Sequence, residues 1–100
     1  MAEEPITARL HTRIERDFPE PGAAKGIEGA LRVLAGELEG SRQDTERLLA
    51  AAVLIADGDV DRFRSAVRLG RQDWRDLLVS GGVADGDWPS VLDRELGRSR

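Results

Sequence analysis

Aspartates alternate through the stretch "DGDVD", at Asp57, Asp59 and Asp61, and oxygen ligands at that spacing open the calcium loop of an EF-hand. The rest of that loop is missing. Its sixth position is Arg62, where a glycine must turn the chain, and its twelfth is Arg68, where a glutamate must close the shell. The tetrapeptide "ADGD" of residues 56–59 returns at 84–87, and there Pro89 stands fifth and Leu96 twelfth. No metal ligation is expected from either copy. Both fit helix punctuation instead: Gly58 takes a left-handed conformation that closes one helix, and Asp59 caps the next. Asp87 is expected to cap a helix whose first turn holds Pro89, while Asp73 and Asp76 occupy N-cap and N3 positions, where the positive end of a helix favours carboxylates.

Catalytic chemistry finds few parts. His11 is the single histidine, and with no cysteine or tyrosine nothing completes a relay around it. Ser41, Ser65, Ser80, Ser90 and Ser99 lack the G-x-S-x-G setting of a nucleophile elbow. In "PGAAKGIEG" the glycines and Lys25 are in the wrong order for a phosphate-binding loop. A non-enzymatic protein without cofactor or metal is the expectation.

Binding chemistry has more to draw on. Arg64, Arg68, Arg71 and Arg75 would line one face of a continuous helix and offer it to an anionic partner. Nucleic acid is nevertheless disfavoured as that partner. The net charge is −4, Asp59 and Asp61 would lead the helix into phosphates, and a helix-turn-helix aligned on Gly58 puts charged Asp59 and Arg64 at buried positions. All of the 15 basic residues except Lys25 are arginine, as GC-rich codons would produce, which weakens the arginine excess as a recognition signal. Trp74 and Trp88 are the only tryptophans, a residue type that fills small cores or anchors interfaces. Trp74 is assigned to the core. Trp88, with Val91 and Leu92 on the same short helix, is the candidate contact for a protein partner or a second copy of the chain.

These residues must be positioned by helices. From Pro5, taken as a first helical position, Ile6, Leu10, Ile14 and Phe18 recur every four residues and leave Arg9, Arg13 and Arg16 on the solvent side. "FPEPG" at 18–22 stops that helix. A second is expected from Ala23 to Leu38, with Ile27, Leu31, Leu34 and Leu38 inward and Gly26, Gly29 and Gly36 either admitting a close neighbour or serving no purpose. A third, capped by Ser41 or Asp44, ends in "LLAAAVLIA", apolar on every side as befits a central helix. The interval Val60 to Ser80 reads as one helix or as two, and a stop at Gly70 with a restart at Asp73 is preferred. "SGG" at 80–82 closes it, and Asp87 to Leu96 forms the last short helix.

Apolar residues make up 40 % of the 100 residues, enough for one core and one domain. The fold expected is therefore an all-α, single-domain bundle of four to five helices joined by short Gly/Asp/Pro turns, with tails at 1–5 and 97–100. No apolar run exceeds Leu48 to Ala56, far short of the roughly 20 residues that span a bilayer. The acidic N-terminal stretch has no signal-peptide core, so a cytoplasmic location is expected. The order "RIERDFPEPG", "DGDVDRFRSAV", "DWRDLLVSGGVADGDWPSVLDREL" resembles a set of small bacterial helical proteins with no assigned activity. That resemblance implies an independent helical domain and brings no site residues with it. The functional expectation is a helical protein-interaction module or homodimer, with a nucleic-acid-associated accessory protein as the alternative.

Overall fold

A helix that is apolar all round has to be surrounded, and the other helices arrange themselves around Thr45–Ala56. The computed structural model describes residues 4–97. Among them are six α-helices and one 3-10 turn: α1 (Ala8–Asp17), α2 (Ala23–Glu37), the turn Glu39–Ser41, α3 (Thr45–Ala56), α4 (Val60–Gln72), α5 (Trp74–Ser80) and α6 (Trp88–Leu96). The class is all-α as expected, with one helix more than the upper count. Leu48, Leu49, Ala50, Ala51, Ala52, Val53 and Ala56 of α3 are all buried, and α3 packs against each of the other five helices.

Capping sets the boundaries. α1 begins at Ala8 and not at Pro5, because the Thr7 side chain accepts from the Leu10 N–H at 3.3 Å and fixes the N-cap there. Asp44 caps α3, accepting from the Arg47 N–H at 3.0 Å. Asp57 (φ 47°) and Gly58 (φ 82°) both take left-handed conformations after α3, and Asp59 caps α4 by accepting from the Arg62 N–H at 2.9 Å.

The second "ADGD" behaves differently. α5 has already ended at Ser80, where Gly82 (φ 76°) is left-handed and the Val83 N–H returns to the Leu78 carbonyl at 3.0 Å. Residues 84–87 are thus a loop between helices, and Asp87 precedes α6 with no side-chain capping hydrogen bond. Its expected capping role is not what the structure shows.

Val60 to Ser80 is two helices, as preferred, but the break is made by Asp73 alone. Asp73 is extended (φ −158°) and accepts from the Arg75 N–H at 2.9 Å. Gly70 does not stop α4: it lies buried inside it, and a Cβ there would stand 2.9 Å from Leu77 Cδ2 of α5. Gly70 is where α5 folds back on α4. Gly26, Gly29 and Gly36 admit no such neighbour, since a Cβ on any of them meets nothing within 4 Å. The tightest approach is elsewhere, at Gly81, where a Cβ would lie 2.7 Å from the Ala51 Cβ of α3. Phe18 and Phe63 complete the core edge to face, their centroids 6.3 Å apart.

The expected tails fall mostly outside the described residues. Within those residues Glu4 pairs with Arg32 at 3.1 Å, and the Gly97 carbonyl accepts from Arg9 at 2.9 Å. No described helix is long and apolar enough to cross a membrane.

Candidate functional site

α6 was the expected partner contact, and its residues turn inward. Leu92 is fully buried and Val91 nearly so, both within the core of their own chain. Trp88 is half-buried against that core, with the Arg47 guanidinium 5.1 Å from its ring centroid. Of the face assigned to a second copy, Val91 and Leu92 are covered by their own chain, and Trp88 keeps part of its surface exposed.

Arginines read as solvent-facing hold α6 in place. Arg9 reaches Glu46 of α3 (2.5 Å), Asp93 of α6 (2.8 Å) and the Gly97 carbonyl. Arg13 donates to Asp17 (2.8 Å) and to the Glu95 carbonyl (2.7 Å). Arg47 donates to the Val83 and Ala84 carbonyls at 2.8 and 3.0 Å, pinning the loop that leads into α6. The Arg9 guanidinium, with help from Thr7, holds the Glu46 carboxyl below the usual range against the opposing effect of burial. Sequence periodicity places Arg9 and Arg13 off the apolar stripe, but cannot show that a sixth helix lies across that side.

His11 is engaged at both ring nitrogens. Its Nδ1 meets Glu28 of α2 in a very short contact, and its Nε2 lies 3.2 Å from Glu15. Glu28 is buried and has Arg32 at 3.8 Å on its other oxygen. The Glu28 carboxylate, seconded by Glu15, raises the imidazole above its ordinary value, with desolvation and then Arg32 opposing. This pair joins α1 to α2.

The candidate anionic-partner row is partly assembled. Arg64, Arg68 and Arg71 stand exposed along α4 and line one side of a groove of about 300 Å³. Arg75 does not join them, because Asp73 ends α4 and Arg75 stacks over Trp74 of α5 at 5.0 Å. Ala30 of α2 faces the row, and Phe63 and Val67 form the floor. Arg71 is paired across the groove with Glu37 at 2.9 Å, and Arg64 loosely with Asp61 at 3.7 Å. Arg68 has no ion pair among the described residues.

No protein-family model, curated protein or solved structure matches this chain. Geometry alone therefore bears on what the groove does. On α2, Gly26, Ala30, Val33 and Glu37 recur at intervals of four, three and four residues, one stripe along the helix, from which Ala30 lines the groove and Glu37 reaches Arg71. Val33 on that stripe is 57 % exposed. Phe63 and Val67 are core residues, and the pairing of α2 with α4 that turns their edges into a groove floor leaves no signal in spacing.

A larger depression of about 960 Å³ lies between the start of α1, the end of α2 and the start of α3, lined by Glu4, Thr7, Arg32, Glu39, Asp44 and Glu46 among others. Its charged side chains are largely spent on one another or on capping. Glu4 binds Arg32, Glu46 binds Arg9, and Asp44 caps α3. Among the described residues no group of three or more His, Cys, Asp or Glu side chains is placed to hold a metal ion.

Proposed function

We propose that the protein is a non-enzymatic helical interaction module that binds a protein partner through the groove between α2 and α4. The observation that carries this reading is the pairing of two unlike edges. α2 offers Ala30, with Gly26 and the exposed Val33 on the same helical stripe, and α4 offers Arg64, Arg68 and Arg71 above Phe63 and Val67. An apolar floor with a polar rim is the arrangement of protein interfaces. The homodimer reading through Trp88, Val91 and Leu92 has less support, because Val91 and Leu92 are buried in the chain that carries them and only Trp88 keeps exposed surface.

A nucleic-acid-associated role stands second, on the strength of the arginine row. Against it weigh the net charge of −4, Asp59 and Asp61 at the entrance of α4, and Glu37 already seated on Arg71. Pull-downs from native extract with the wild type and with Val33→Glu, followed by mass spectrometry, test the order. A protein retained by the wild type and lost from the variant supports the groove. Salt-sensitive retention on heparin and a gel shift near physiological ionic strength, both unaffected by Val33→Glu, reverse it.

A further inference from the structure

We infer that the occupant of the α2/α4 groove is an amphipathic helix of a partner protein carrying carboxylates along one edge; this rests on the interaction-module reading above. Two helices side by side leave a valley that a third helix fills, provided one wall is low enough to let it approach. The α2 wall is low. Gly26 stands on the same stripe as Ala30, and a Cβ built on it meets nothing within 4 Å, so no part of the described chain uses that room. On the same stripe Val33 is 57 % exposed and Ala30 is half-buried, two small apolar contacts beside the arginine row.

The α4 wall sets the charge. Arg64, Arg68 and Arg71 are separated by four and three residues, so they form a ladder with about one helical turn between rungs. Acidic residues at i, i+4 and i+7 of a docked helix would repeat that spacing and meet the rungs in register. The middle rung, Arg68, lacks a carboxylate partner among the described residues, and Arg64 has only the loose contact to Asp61. Glu37 shows the chemistry already in use: a carboxylate projecting from α2 crosses the valley to Arg71 at 2.9 Å. An incoming acidic edge replaces Glu37 there and adds contacts at Arg68 and Arg64. Duplex nucleic acid fits this geometry poorly, because the apolar contacts and Glu37 would face its phosphates.

The test uses the full chain and a fluorescent helical peptide of about 15 residues, long enough to hold helical structure. The peptide has leucine on one face and glutamate at i, i+4 and i+7 beside it. Two control peptides replace the glutamates by lysine or by glutamine. The acidic peptide is expected to bind the wild type, and Arg64→Glu/Arg68→Glu should weaken it at least about tenfold. The lysine peptide should bind that doubly reversed variant and not the wild type. Val33→Glu should weaken the acidic peptide while helix content and melting temperature stay unchanged. Equal binding of the acidic and glutamine peptides, still sensitive to Val33→Glu, overturns the acidic edge and leaves the groove standing. Loss of all peptide binding, or displacement of the peptide by a short DNA duplex at physiological salt, overturns the groove reading itself. Self-association of the wild type that is abolished by Arg68→Glu assigns the groove to a second copy and overturns the partner helix.

Discussion

Asp59 and Asp87 each follow the tripeptide Ala-Asp-Gly, yet only Asp59 closes its helix with a side-chain hydrogen bond. Asp59→Ala should therefore cost about 1 kcal/mol, and Asp87→Ala distinctly less, in urea unfolding of the two variants. Equal losses would show that the Asp87 carboxylate stabilises α6 from a distance. His11 adds a pH dependence. Folding raises its pKa through Glu28 and Glu15, so the charged form contributes stability that is fully present below the unfolded value near 6.5. That contribution is lost as pH rises through the folded value. Stability measured from about pH 6 upward should fall in the wild type relative to His11→Gln, in which the imidazole is gone. Identical profiles would mean that Glu28 is satisfied by Arg32 without the imidazole. The glutamate partner was not readable in the sequence, because it lies seventeen positions further on, beyond a turn.

Helices were readable where side chains repeat, and misread where a single residue decides. The stripes Leu10, Ile14, Phe18 and Ile27, Leu31, Leu34 are all buried as their spacing requires. Gly70 looked like a terminator because glycine is a poor helix former, yet close packing against Leu77 keeps it inside α4. The same logic sorts the other glycines. Gly29→Ala and Gly36→Ala, on open helical surface, should each stabilise the protein by about 0.5–1 kcal/mol. Gly81→Ala should destabilise it by about 1–3 kcal/mol, since its methyl would press on Ala51 and part α5 from α3. Thermal unfolding of the three variants checks both signs. A neutral Gly81→Ala would show that the end of α5 can shift without cost.

The six helices share one core, and α6 is part of it. Leu92→Ala should cost about 2–5 kcal/mol, as for a leucine removed from a filled site. The loss should not depend on protein concentration, because the slot that Leu92 fills belongs to its own chain. A stability that rises with concentration, lost in the same variant, would restore a second subunit to that face. Class, core stripes and most caps could be read from the chain in advance. The candidate site could not, because a groove is made by two helices that meet only in three dimensions, and only Arg64, Arg68 and Arg71 of its lining were singled out beforehand.

Arg9, Arg13 and Arg47 grip α6 and its approach largely through main-chain oxygens, those of Val83, Ala84, Glu95 and Gly97. Every residue type presents that oxygen. The gripped positions that are neither in the core nor at a positive φ, Ala84 and Glu95, are consequently free to drift while the gripping ones are not. In a saturation mutagenesis scored for folded protein, Ala84 and Glu95 should accept most replacements. Arg13 and Arg47 should reject nearly all, lysine included, because one ammonium cannot reproduce a guanidinium fork that reaches two acceptors at once.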